Sequence, residues 1–372
     1  MPGKGLEDVV AAQTSISDID GKMGRLFYVG YDIHDLATNV SFEETIFLLH
    51  NLRLPTKTEL DQINEQLTVE RMPSPWIREM LPTLAKEASP MSMLRTTVSA
   101  MSAYDSDGWS SDDAANYRKS IRLCARIPSL VAWYDAQRNG RDLVDPNPKL
   151  SHAANFLAML TGSEPSADDA RIFDMCLTLH ADHTMNASTF TARVVASTLA
   201  DMHSAVTAAI AALKGPLHGG ANERVMKMLL EIREPVRAEE FIKGKLAERE
   251  KIMGFGHRVY KTEDPRATHL RRMSQQLGEQ RGDPTWFEIS HEIERVVMEE
   301  KGLYPNVDFY AASVYYYLGI PIDLFTPVFS ASRASGWTAH VREQHNDNRI
   351  IRPESEYIGP RGRIWQPIEE RG

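Results

Sequence analysis

Helical periodicity, interrupted at intervals by proline and glycine, runs through most of this chain and restricts it to a mainly α architecture. Val206, Ile210 and Leu213 lie at i, i+4 and i+7 with alanines between them, the spacing of one helix face. Similar runs predict helices over 56–67, 112–127, 151–161, 167–183, 187–213, 222–232 and 238–253. Pro128 is expected to stop the second of these, and Gly215-Pro216 the run that ends at Leu213. Ser41-Phe42-Glu43-Glu44 reads as a capping signal before Thr45–Leu49. Only the N-terminal region alternates: Thr14–Ile19 and Arg25–Gly30 flank Asp20-Gly21, as in a hairpin. There is no strand–helix alternation of the kind that builds a parallel sheet, no internal repeat and no low-complexity linker. From Arg342 to Gly372 the chain turns polar and carries Pro353, Pro360 and Pro367. Tyr357, Ile358, Ile364 and Trp365 give this tail something to bury, so it is expected to dock on a surface.

With 372 residues, 42% of them hydrophobic, the chain can bury a large core in one or two domains. The formal net charge of -9 is opposite to that of a nucleic-acid binder. An anionic substrate would have to be met by local positive charge. Val194–Leu213, the most apolar long stretch, contains Asp201 and His203 and reads as a core helix, not a membrane span. Met1–Asp8 lacks the apolar core of a signal peptide, and a cytoplasmic location is the simplest expectation. Cys124 and Cys176 lie far apart in apolar helical stretches, the pattern of two buried free thiols.

Several residues have contexts suited to acid–base chemistry on a small anion. His218 lies in Gly215-Pro216-Leu217-His218-Gly219-Gly220, between two expected helices. The positive end of the following helix disfavours an imidazolium there, leaving a neutral ring able to donate to a carbonyl. A loop histidine that caps a helix fits the same residues equally well. His257 follows Gly254-Phe255-Gly256, a loop type that exposes backbone amides. The strand and spacing of a dinucleotide fingerprint are missing, which sets NAD aside. Asp264-Pro265-Arg266 places Arg266 in the first turn of a helix, with Asp264 as N-cap and Pro265 at N1. A guanidinium so held can grip a carboxylate bidentately, although a surface arginine at a helix start has the same pattern.

Asp308 stands among Tyr304, Pro305, Val307, Phe309 and Tyr310, where desolvation would raise its pKa and a helix N-terminus would lower it. Plain N-capping is its simpler role. Arg333, in Ser332-Arg333-Ala334-Ser335-Gly336, needs an anionic partner if buried and none if its helix face is solvated. Arg352 precedes Pro353 and is held extended. His180 and His183, three apart on an expected helix with Asp182 between them, invite a zinc site, but no third ligand follows at a familiar spacing.

Taken in order, these motifs resemble the citrate synthase family, from Gly24-Arg25-Leu26-Phe27-Tyr28-Val29-Gly30-Tyr31-Asp32-Ile33 through to Gly359. The resemblance implies a two-domain helical homodimer. Residues 1–219 and 321–372 would form a large domain, and 220–320 a small one that closes over the substrate. It implies that Asp308 takes a proton from acetyl-CoA, His218 stabilises the enol oxygen, and His257 acts as acid at the ketone of oxaloacetate. His183, Arg266 and Arg333 would hold oxaloacetate, with Arg352 reaching it from the partner subunit. Lys251, Gly254, Phe255 and Gly256 would receive the adenine of coenzyme A, with Arg258 and Lys261 near its phosphates. Coenzyme A enters as substrate, and neither cofactor nor metal is implied. Propionyl-CoA, giving 2-methylcitrate, is the nearest rival, since one methylene is worth only about 1–3 kcal/mol in a pocket. A non-catalytic dimer that binds acyl-CoA or an organic acid is a rival of another class. The short segment before the hairpin sets the chain apart from the longer NADH-sensitive hexamers, so an unregulated dimer is expected.

Overall fold

The computed structural model describes residues 4–6 and 9–371. Its described residues form sixteen α-helices and one small sheet. The sheet runs in the order β1 (Ser17–Asp20), β2 (Arg25–Tyr28), β3 (Tyr31–Asp32), all antiparallel. Ser17 faces Tyr28 and Asp20 faces Arg25. This is the expected hairpin, with a short third strand added. Leu26 and Tyr28 are buried, and the Tyr28 hydroxyl donates to the Asp182 carbonyl at 2.9 Å. The hairpin is thereby tied to the helical body.

Helix Phe325–Asn346 is buried along most of its length. It packs against Phe42–Asn51, Pro90–Met101, Asp113–Arg138, Ala167–His180, Ala187–Ala196 and Met202–Leu213. Its run of Ser330, Ala331, Ser332, Ala334, Ser335 and Gly336 keeps the face narrow, so several neighbours can approach at once. A second group, Ala221–Ile232, Ala238–Ala247, Pro265–Arg281, Thr285–Lys301 and Val307–Tyr317, packs largely on itself. No helix among the described residues is long and apolar enough to cross a membrane. Ser41 caps its helix through a full capping box with Glu44, as the sequence indicates.

Five local expectations need correction. Helix Asp113–Arg138 passes straight through Pro128. Proline removes the donor to the Cys124 carbonyl and costs about 3 kcal/mol in a helix interior. Burial of Leu123, Ile127, Leu130, Val131 and Trp133 on either side outweighs that cost. The run 187–213 is two helices, Ala187–Ala196 and Met202–Leu213. The hydroxyls of Ser197 and Thr198 donate to the Val194 and Val195 carbonyls, both at 2.7 Å, competing with the helix ladder. Asp201 then caps the second helix by accepting from Ser204 N–H at 3.1 Å.

The run 167–183 ends at His180, which puts His183 in the turn beyond it. The run 238–253 stops at Ala247, because the charged residues 248–251 offer no apolar face. Finally, the helix reaches Asn346, so the polar tail starts later than Arg342. Among the described residues Tyr357, Ile358, Ile364 and Trp365 remain exposed, so the tail's apolar side chains are not covered within the single chain.

Candidate active site

His257 and Asp308 are joined by backbone pairing. Gly256 N–H donates to the Tyr304 carbonyl at 2.9 Å, and Asn306 N–H to the Gly254 carbonyl at 2.8 Å. Phe255 pairs with Pro305 as an isolated bridge. Gly254 is needed here: its φ is +84°, and a Cβ would stand 2.8 Å from the Phe309 ring. The amide of Gly256, expected to face a ligand, is therefore used within the chain. Gly254→Ala is expected to lower both thermal stability and turnover, measurable by melting and initial-rate assays.

The imidazole of His257 is turned by its own loop. Its Nδ1 accepts from Val259 N–H at 3.0 Å and Tyr260 N–H at 3.2 Å. Two N–H donors on Nδ1 put the ring proton on Nε2. Burial, helped by the charge of Arg266, pushes this histidine down to about 4. It is a neutral hydrogen-bond donor at neutral pH.

His183 packs edge-on against His257, with ring centroids 5.2 Å apart. Its Nε2 lies 3.2 Å from the Tyr260 hydroxyl. Burial holds it well below the ordinary histidine range. His218 sits in the turn after Met202–Leu213, and its Nε2 accepts from Ser188 N–H at 3.2 Å. Ser188 Oγ lies 2.8 Å from the same nitrogen and accepts from the Trp337 indole at 3.0 Å. The His218 proton is thereby left on Nδ1. Burial pushes His218 down to about 4, with the Arg333 charge adding to it.

Asp308 is the second residue of helix Val307–Tyr317, whose cap Asn306 accepts its N–H at 3.0 Å. Among the described residues no donor reaches its carboxylate. Burial raises it to about 6, against the opposing charges of Arg266 and Arg333.

Arg266 starts its helix as expected, with Asp264 as cap and Pro265 at N1. Its guanidinium is already paired: Nε donates to Asp264 Oδ1 at 2.9 Å and Nη2 to Oδ2 at 2.7 Å. Nη1 is buried and has no partner among the described residues. Arg333 is fully buried, donates through Nε to the His180 carbonyl at 2.7 Å, and lies over the Phe329 ring. No carboxylate among the described residues is within ion-pair distance of it, and burial pulls its pKa down to about 10. A buried, unpaired guanidinium is costly, and such groups are generally found with an anion. Two neutral imidazole donors, a poised carboxylate and two partly unsatisfied arginines can polarise a ketone, hold carboxylates and abstract a carbon-bound proton.

The family model described as "Citrate synthase, C-terminal domain" matches residues 5–354. The chain belongs to the citrate synthase family. It is 52% identical to "Citrate synthase 2" of Bacillus subtilis (strain 168), over 99% of each chain. It is 43% identical, over 96% of each, to a "Citrate/2-methylcitrate synthase" of the same organism. Its fold matches, at a TM-score of 0.93, 33% identity and 99% coverage of each chain, a citrate synthase from Thermoplasma acidophilum solved in ternary complex with carboxymethyl coenzyme A and oxaloacetate.

The remaining candidates are less concentrated. Beside His257 is a cleft of ≈ 270 Å³, lined by Gly256, Tyr260, Lys261 and the 302–305 turn. Lys251, Arg258 and Lys261 are exposed around this loop, and Phe255 packs on Phe309 at 4.5 Å between ring centroids. Arg352 is exposed and is not brought to these groups within one chain. Its neighbour Ile351 donates to Ser197 Oγ at 3.0 Å, just beyond the end of helix Ala187–Ala196 opposite His183. A separate groove of ≈ 970 Å³ lies between the 10–16 segment and residues 342–351 and contains none of these histidines.

His180 does not pair with His183: it is buried and its Nδ1 lies 2.7 Å from the Cys176 carbonyl. Among the described residues no three His, Cys, Asp or Glu side chains are grouped to hold a metal. Sequence reasoning missed Ser188, Tyr260 and Trp337, which orient the histidines. The only available signal for Ser188 was the capping pattern Asn186-Ala187-Ser188-Thr189, in which Asn186 accepts Thr189 N–H at 3.1 Å.

Proposed function

We propose that this member of the citrate synthase family condenses acetyl-CoA with oxaloacetate and water to give citrate and coenzyme A. Asp308 takes a proton from the methyl carbon of the thioester, and His218 Nδ1–H donates to the resulting enol oxygen. The enol carbon attacks the ketone of oxaloacetate, and His257 Nε2–H gives its proton to the developing alkoxide. Water then cleaves the citryl thioester, releasing citrate and the thiol. His183, Arg266 and Arg333 hold the oxaloacetate carboxylates, and Arg352 reaches them from the partner subunit of a homodimer. Lys251, Gly254, Phe255 and Gly256 receive the adenine, with Arg258 and Lys261 at the phosphates. Residues 220–320 form a small domain that closes on the larger part, 1–219 and 321–372, and excludes water. Hydrogen bonds and guanidinium charge carry the chemistry without a metal. We place the reaction in the cytoplasm, at the start of the tricarboxylic acid cycle.

One observation carries this reading: each acid–base group has the protonation state its step requires. Asp308 is raised to about 6, and His218 and His257 are neutral with opposite ring nitrogens protonated. Turnover should therefore fall as pH drops through about 6, where Asp308 takes up a proton. The histidines stay neutral down to about 4 and add no limb above that. An initial-rate profile from pH 5 to 9, under saturating substrates, checks this.

Propionyl-CoA is kept as a second substrate because of the relative named for both products. Oxaloacetate-dependent thiol release, compared between acetyl-CoA and propionyl-CoA, decides which is preferred. No release from either would refute the proposal. The enzyme's own thiols do not interfere. Cys124 and Cys176 are buried, and burial raises both, Cys124 to about 12. A disulfide reagent is expected to detect neither thiol in the native protein and both after unfolding.

A further inference from the structure

We propose that the N-terminal hairpin is a spacer that sets His183 and His257 relative to one another, with Gly21 at its tip as a positioning residue for His257. At its base, the residues on either side of His183 are bound to the strands. The Tyr28 hydroxyl donates to the Asp182 carbonyl at 2.9 Å and accepts Asp182 N–H at 3.1 Å. Ser17 Oγ donates to the Asp182 carboxylate and accepts Thr184 N–H at 3.1 Å. At the tip, the turn lies directly on the backbone of the His257 loop. The Gly21 carbonyl accepts Lys261 N–H at 2.9 Å. A Cβ on Gly21 would stand 2.4 Å from the Val259 carbonyl oxygen, and one on Gly24 2.4 Å from Thr262 Oγ1.

Val259 and Tyr260 are also the residues whose amides orient the His257 ring. A shift at the tip is therefore carried through one residue to the imidazole. The turn is itself stiffened by Asp20, whose carboxylate accepts Lys22 N–H at 3.0 Å and Met23 N–H at 2.9 Å. One rigid element thus touches both imidazole-bearing segments, whose rings lie 5.2 Å apart. This role rests on the reading that His257 acts at the ketone.

The test compares Gly21→Ala, Asp20→Ala and the control Met23→Ala, whose side chain is exposed. In Gly21→Ala the added methyl meets a backbone oxygen, so the loop must move. A displacement of about 1 Å should lower kcat by about 10- to 100-fold, with KM for oxaloacetate changed by less than about three-fold. Asp20→Ala should lower kcat in the same direction by less, and Met23→Ala should leave it unchanged. In Gly21→Ala the His257 ring, followed by NMR, should titrate above its native value as the loop lifts. Folded Gly21→Ala and Asp20→Ala proteins that keep native kcat and an unmoved His257 titration would overturn the proposal. Should Gly21→Ala fail to fold, Asp20→Ala decides alone. His257→Ala separates the two readings. Native turnover in it would remove the assigned role of His257, whereas its inactivity beside an active Gly21→Ala would remove only the role of the hairpin.

Discussion

Asp308→Asn is expected to lower turnover by about 10²- to 10⁴-fold, the usual contribution of a positioned base, and at the same time to make the protein more stable at pH 7. Both effects have the same cause. Burial raises the folded-state carboxyl to about 6, against an ordinary value of 3.8. A raised carboxyl means that the folded state binds the proton more tightly than the unfolded state does. The resulting penalty is absent below about pH 4, grows as pH rises to about 6, and is complete at pH 7. At about 1.4 kcal/mol per pH unit it amounts to about 3 kcal/mol. Asparagine has the shape of the protonated acid and cannot ionise, so the penalty disappears. Melting temperature at pH 7 should rise by several degrees, and the difference should vanish at pH 4, where wild type is also protonated. Scanning calorimetry at the two pH values checks this. A variant less stable than wild type at pH 7 would mean that Asp308 is held by partners, and its assignment as an unencumbered base would fail.

Arg333→Met should strongly weaken oxaloacetate binding while leaving the free protein as stable as wild type or more so. The guanidinium lies within a largely buried helix, with one hydrogen bond to a carbonyl and no carboxylate in ion-pair range among the described residues. The nearby Asp182 uses Oδ2 for Ser17, Thr184 and His340, and its Oδ1 makes no hydrogen bond among the described residues. Removing an uncompensated buried charge costs the fold little. Removing it from beneath a bound dianion costs about 2–5 kcal/mol, or about 30- to 5,000-fold in affinity. At one concentration, oxaloacetate should raise the melting temperature of wild type much more than that of the variant. Arg333→Lys should restore little, because an ammonium cannot present two parallel donors to a carboxylate. Ligand-dependent melting of the three proteins is the check.

The sequence carried most of the fold because the hydrophobic period and the caps were strong. The hairpin, the Ser41 capping box and the Asp264-Pro265-Arg266 helix start all stand where local chemistry puts them. It misled where tertiary packing outweighed a local signal, as at Pro128. It also misled where hydroxyls broke an otherwise smooth period, at Ser197 and Thr198. The reactive groups were legible because glycine, proline and an aromatic setting mark unusual backbone or burial. Their orientation was not: Ser188 lies thirty positions from His218, and nothing local to either residue signals the contact. For Asp308 the aromatic and aliphatic neighbours in sequence signalled desolvation, but its extent is set by packing from elsewhere in the chain. The exposed tail illustrates another limit. A stretch with Ile358, Ile364 and Trp365 shows that it has apolar surface to cover, but not which surface covers it.

The most direct test of the central claim is the stoichiometry of the reaction. Purified protein is mixed with acetyl-CoA and oxaloacetate, and free thiol and citrate are measured together over time, with each substrate omitted in turn. One citrate is expected for each thiol released, no thiol without oxaloacetate, and neither product from Asp308→Asn beyond its residual rate. Thiol appearing without citrate, or at the same rate when oxaloacetate is left out, would make the protein a thioesterase and contradict the account.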